Sequence, residues 1–363
     1  MTRKQILRSV IFIVLVLWMV VHLTYILRTN GDVKDRFVGF NAEKNDTIDA
    51  LIIGSSPVAP CFITPKIYGD MGITMYPLSS NMQRPVASKY LLEEALKTQS
   101  PDLVIFEMRM WTSKDEDLLG NMAHTREVTD NMKYSVNRIK TINAMVDDKS
   151  DRINYYFDIF KYHSNWKTLF LWSQFRTLFY SYPDDLKGHV IETDVGPADE
   201  PAQVPVTVKE PIPSEQEEYL LDLLDYLKEK NQKALFVVTP YSATEDEQKK
   251  INYMSELISS KGYDFLDMNL YVDEMGLDFE KDIRDYGTHV NILGGEKVTD
   301  WFENYLKENY VDTGVALTAD HRGDKRYSSW DKAYELWESL SDDAREQVEY
   351  NFENGIYYEL ETE

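Results

Sequence analysis

Five short apolar runs set the terms on which this chain can fold. They are IDALIIG (48–54), ITMYPLS (73–79), PDLVIFEM (101–108), KALFVVTP (233–240) and YDFLDM (263–268). Most are near-continuously apolar rather than alternating, the pattern of a strand buried on both faces. Between them, VASKYLLEEALK (86–97), SEQEEYLLDLLDYLKEKN (214–231) and DEQKKINYMSELISSKG (246–262) carry apolar residues at helical spacing, the last closed by Gly262. A further helix is expected over residues 293–309. Strands alternating with helices predict an α/β fold: a three-layer, flavodoxin-like parallel sheet of about five strands. Ligands on such sheets bind outside the carboxyl ends of the strands, so chemistry is sought just after each run.

Residues 110–210 break the rhythm. The aromatic-rich stretch 154–183, NYYFDIFKYHSNWKTLFLWSQFRTLFYSYP, predicts a helical insertion capping the sheet's carboxyl edge. Its aromatic side chains are expected to form the insertion's own core. His163, beside Trp166, is a candidate groove residue. The proline-rich segment 195–213 reads as an extended return to the α/β domain. That domain is assigned to residues 48–310, and an acidic extension with one helix to 311–363. No internal repeat is present.

At the N-terminus, Arg3, Lys4 and Arg8 precede Ser9–Leu27, SVIFIVLVLWMVVHLTYIL, which holds no Asp, Glu, Lys or Arg. As a helix these residues span about 28 Å, close to the hydrocarbon thickness of a bilayer. The preceding cations predict an N-inside orientation, with the remaining chain on the far side of the membrane. A cleaved signal peptide is the rival reading. The length of the run and the lack of an A-x-A-like site favour an uncleaved anchor over residues 1–28. His22 is expected near its outer end. Residues 29–47 are polar and predict a linker.

Composition excludes some classes. The net charge is −23, which repels phosphate backbones and argues against nucleic acid as a partner. It also weighs against a strongly anionic polymer unless local basic groups intervene. The single cysteine, Cys61, rules out an internal disulfide and a zinc-binding cysteine cluster. Asp264, Asp267 and Asp273 lack an EF-hand spacing, so no metal and no cofactor is expected. His124, His189 and His321 have no chemical constellation around them and are assigned surface or loop roles.

The first run ends in Gly54-Ser55-Ser56-Pro57. Glycine permits a sharp turn, and Pro57 suits a first helical turn. A serine there is either an N-cap or a nucleophile whose own N–H faces the developing oxyanion. After the last run, KDIRDYGTHVNILGG carries Asp285 four residues before His289. A serine hydroxyl needs a base, and the base needs a carboxylate to orient it. Ser56, His289 and Asp285 supply those three groups at the same sheet edge, with Asp282 the weaker rival for the carboxylate.

These two blocks resemble the SGNH (GDSL-type) hydrolase family, over roughly residues 48–109 and 233–309. The resemblance implies Ser56 as nucleophile at the third position of a G-D-S-like block, with Ser55 replacing the family's Asp. It is similar to membrane-anchored members that act on cell-envelope polymers, including teichoic-acid D-alanyl-transfer proteins. Departures are clear. PLSSNMQ has no oxyanion glycine, which leaves the Ser80 N–H and the Gln83 amide as candidates. FEMRMW has no Asn, and Arg109 stands there as a candidate donor or as a structural pair with Glu107. The implied function is an extracytoplasmic serine esterase or O-acyltransferase. Its substrate would be a polysaccharide or another acylated envelope polymer, with a membrane-embedded acyl-donor partner as an option. The alternative is an inactive SGNH-fold glycan-binding or assembly protein.

Overall fold

The computed structural model describes residues 2–119 and 122–359. Five strands, β1 (Ala50–Gly54), β2 (Met75–Ser79), β3 (Leu103–Glu107), β4 (Ala234–Val238) and β5 (Asp264–Asp267), form one all-parallel sheet in the order β2-β1-β3-β4-β5. Each lies inside one of the five apolar runs. β1 to β4 are buried along their whole length, as expected for strands covered on both faces.

Side chains alternate between the two faces, so the sheet divides the core in two. Leu51, Ile53, Val104, Phe106 and Phe236 pack on one side under the helices Ala87–Ala95, Ser214–Lys230 and Glu245–Ser260. Ala50, Ile52, Ile105, Leu235 and Val237 pack on the other, where Val298, Phe302 and Leu306 of the helix Ile292–Leu306 cover them. The C-terminal helix Ser328–Glu353 docks on this body, with Trp330 almost fully buried.

Residues 29–47 are not an open linker. Asp32–Phe40 is a helix whose Val33, Phe37 and Phe40 join the core beside β2. The spacing i, i+4, i+7 makes one apolar stripe, which the polar average of the segment conceals. The stretch 195–213 contains no helix or strand, as its prolines require.

Arg3–Leu27 is one helix, long and apolar enough to cross a membrane. Thr2 and Gln5 close its first turn in a reciprocal capping box. The insertion consists of short helices between Asp115 and Phe175. Its aromatic core is smaller than expected. Tyr155, Tyr162 and Tyr180 are buried, but Phe160, Trp166, Phe170, Trp172 and Phe179 are exposed.

Candidate active site

β1 and β3 approach closely where β1 ends. A Cβ at Gly54 would lie 2.4 Å from Glu107 Cβ, so only glycine fits. The buried Glu107 carboxylate accepts from the N–H of Arg109 at 2.7 Å and from that of Ser55 at 3.4 Å. Burial pushes this carboxyl up, and the backbone N–H groups work against that shift. Ser55 itself faces inward, and its Oγ accepts the Gln83 N–H at 3.3 Å. The next side chain, Ser56, emerges half-buried on a cavity wall. Pro57 is the N-cap of a single helical turn, Val58–Cys61, rather than part of its first turn. One turn has little dipole, so electrostatic help at Ser56 rests on its own N–H. That N–H donates to no acceptor among the described residues.

The histidine and its carboxylate share a small hairpin. Ile283 and Val290 bridge in antiparallel fashion, the Arg284 N–H donates to His289 O at 2.8 Å, and that of Asn291 to Asp282 O at 2.9 Å. Two left-handed residues, Tyr286 (φ 59°) and Gly287 (φ 114°), turn the chain between them. The turn folds Asp285 back over the loop. Its Oδ1 accepts the N–H groups of Thr288 (3.2 Å) and His289 (2.8 Å), and its Oδ2 lies 2.6 Å from His289 Nδ1. Burial pushes the Asp285 carboxyl up, but the hydrogen bond and charge of His289 outweigh it and hold the group below the usual carboxylate range. His289 Nε2 is 2.8 Å from Ser56 Oγ. Asn291 then caps the helix Ile292–Leu306 by accepting from Leu293 and Gly294.

The remaining sequence candidates lie elsewhere. Asp282 is buried and accepts from Lys297 Nζ at 2.5 Å and from the Asp278 N–H, with no bond to His289. Ser80 and Gln83 turn into the protein rather than toward Ser56. The Ser80 N–H continues the sheet ladder to Gly54 O at 3.4 Å, and Ser80 Oγ donates to Gln83 Oε1. The loop folds inward at Met82, which has φ 45°. Arg109 makes no ion pair with Glu107. It donates to Thr288 O at 3.0 Å and stacks 4.4 Å over the Tyr241 ring, bracing the His289 loop from behind. His163 is exposed, bonded to Phe160 O, and off the cavity wall. His189 lies in a loop, one of its two expected places, but is buried rather than on the surface, with Nδ1 2.8 Å from Ala59 O.

A cavity of about 470 Å³ contains Ser56 and His289. The insertion contributes Arg126, Glu127, Lys161 and Tyr162 to its wall, and the segment after the Arg3–Leu27 helix contributes Arg28 to Lys34 and Arg36. Six cationic side chains line it (Arg28, Lys34, Arg36, Arg126, Lys161 and Arg284) against the carboxylates Asp32, Glu127 and Glu192. The wall is thus basic in an acidic chain. Lys34 and Arg36 are buried and form no ion pair among the described residues. Lys34 Nζ bonds only neutral oxygens, on Arg28, Asn30 and Gln174. Burial, and then the charge of Arg28, lowers Lys34 to about 7. Asn81 is the polar side chain after β2 that faces the cavity, where its Nδ2 donates to Glu127 at 3.2 Å. Neither Asn81 nor residues 28–36 carried a sequence signal for the site. The one available clue was position, since Asn81 stands two residues after the end of β2.

Outside this cavity, His321 pairs with Asp49 at 3.0 Å, next to the start of β1 and so at the opposite edge of the sheet. The carboxylates of Asp70, Asp300 and Glu303 converge, but Lys66 Nζ sits 2.5 Å from each of the first two and fills the place of a cation. No family model matches the chain, and no curated protein matches it in sequence.

Proposed function

We propose that this chain is a membrane-anchored, extracytoplasmic serine esterase or O-acyltransferase of the SGNH type. Its substrate would be the acyl esters of cell-envelope or exported polysaccharide. The observation that carries the reading is the unbroken hydrogen-bonded series Ser56 Oγ, His289 Nε2, His289 Nδ1, Asp285 Oδ2 on a cavity wall. Ser56 Oγ attacks the ester carbonyl carbon while His289 Nε2 takes the hydroxyl proton. The carbonyl oxygen gains charge and is met by the free Ser56 N–H. The ester C–O bond then breaks, and the departing alkoxide takes the proton from His289. An acyl group remains on Ser56. Water or a sugar hydroxyl next attacks that acyl carbon, gives its proton to His289, and releases Ser56 with its proton restored.

The same residues serve hydrolysis and transfer. Water exclusion and acceptor binding decide between them. The insertion supplies part of the cavity wall, which gives transfer some weight. The envelope location rests on the anchor helix and on the cations before it, and the polymer class on the family resemblance.

The test is labelling of the full chain in detergent micelles with a fluorophosphonate. Labelling is expected for the wild type and lost in both Ser56→Ala and His289→Ala. A folded wild type that takes no label, and leaves p-nitrophenyl acetate intact, overturns the catalytic reading in favour of a binding module.

A further inference from the structure

The insertion exposes an apolar surface that its own core does not use. Between residues 157 and 179, Phe160, Trp166, Phe170, Leu171, Trp172 and Phe179 are each at least half exposed, Phe170 by 88%. Charge in this segment is one-sided. Lys161, Lys167 and Arg176 are its cations, and Asp158 is its single carboxylate, in a chain with 62 acidic residues; from outside the segment, Asp130 lies 3.9 Å from Lys161 and Asp35 pairs with Arg176 at 3.0 Å. The Asp158 carboxylate is fully buried against Arg28. Exposed aromatic rings with interspersed cations, and no exposed acid within the segment itself, match the boundary between acyl chains and anionic headgroups.

The segment is also fastened to the outer end of the anchor. His22 Nδ1 lies 2.6 Å from Leu178 O, Asn165 Nδ2 donates to Leu27 O at 2.9 Å, and Thr177 Oγ1 donates to Tyr25 O at 3.1 Å. The His22 and Phe179 rings are 5.2 Å apart. Helix geometry sets the depth of this contact. About 20 residues cross the hydrocarbon, so an anchor entering after Arg8 leaves it near Leu27 and Arg28. Residues packed on His22 to Leu27 therefore fall within about 8 Å of the outer boundary.

We propose that residues 157–179 form a second membrane contact, seated in the outer lipid interface beside the anchor. The partner is bilayer lipid, with the exposed Lys167 at the level of anionic headgroups. The cavity wall made by residues 28–36 then lies at the membrane surface, and Ser56 works on groups presented there. The proposal rests on the reading of Arg3–Leu27 as a membrane-spanning anchor.

The test uses the full chain in nanodiscs that contain anionic phospholipid. Nitroxide labels are placed one at a time at Ile13→Cys in the anchor, at Phe170→Cys and Phe160→Cys in the segment, and at Val136→Cys, an exposed position outside it. The native Cys61 is buried and stays unlabelled. All four positions are exposed, so the substitutions leave the packing intact. The labels at 170 and 160 are expected to lose contact with a water-soluble nickel reagent and to keep contact with oxygen, as at position 13. If position 13 behaves so while 170 and 160 match 136, the proposal is overturned and the anchor stands. If position 13 is itself reached by the nickel reagent, the anchor reading fails and this proposal fails with it.

Discussion

His289 Nε2 lies 2.8 Å from Ser56 Oγ across 233 residues of sequence, because β1 and the loop after β5 both open on the carboxyl edge of the sheet. Two groups that act as one unit fail together. Ser56→Ala and His289→Gln are each expected to lower ester turnover by about a thousand-fold or more, and the double variant to be no worse than either single one. Steady-state kcat/KM on a p-nitrophenyl ester measures this. Additive losses would mean that the two residues act separately.

Asp285 and Asp282 were rivals for one role, and geometry separates them. Asp285→Asn removes the carboxylate that orients His289 and should cut kcat by about 10³- to 10⁴-fold with little change in melting temperature. Asp282→Asn instead weakens a pair with Lys297 and should leave kcat intact while costing about 1–3 kcal/mol of stability. Thermal melts and kinetics run side by side on both variants would expose a reversed assignment.

His189 makes acid stability a test of burial. Its buried ring is driven down to about 4 by loss of solvation, against the ordinary value of 6.5. Between these values the unfolded chain binds a proton that the folded one does not, so stability rises with pH through the window and is lost as pH falls from 6.5 toward 4. Asn in its place keeps a donor for Ala59 O but cannot titrate. The melting temperature of His189→Asn should therefore vary less steeply across that window than the wild type's. An unchanged slope would remove His189 as the cause.

Gly54 holds β1 against Glu107 where no Cβ has room. Gly54→Ala should cost about 1–3 kcal/mol through overpacking and should displace Ser56 from His289. Loss of fluorophosphonate labelling in a variant that still melts cooperatively would show both effects. Full labelling with unchanged stability would contradict the close contact.

The aromatic stretch of the insertion shows how composition can mislead. Phe170 and Trp172 look like core residues in the sequence and stand open in the fold. Aromatic content says that a segment seeks an apolar surrounding, without saying whether protein or lipid supplies it. Ser80 and Gln83 illustrate a second gap. They occupy the right place after β2, but the left-handed turn at Met82 sends both inward and leaves Asn81 on the wall.

Sequence alone determined the five parallel strands and the anchor-length apolar helix; for the site it nominated Ser56 and His289 and left Asp285 and Asp282 as rivals. The strands and the helix are written in local pattern: burial on both faces demands continuous apolar runs, and a span demands length without charge. Only the tertiary structure decided which side chains share the cavity. Lys34 and Arg36 line the same cavity as Ser56 because the Asp32–Phe40 helix packs beside β2. Arg109 braces the His289 loop because β3 ends one strand away from β1. Such neighbours are set by how separate elements pack, and no run of adjacent residues encodes them.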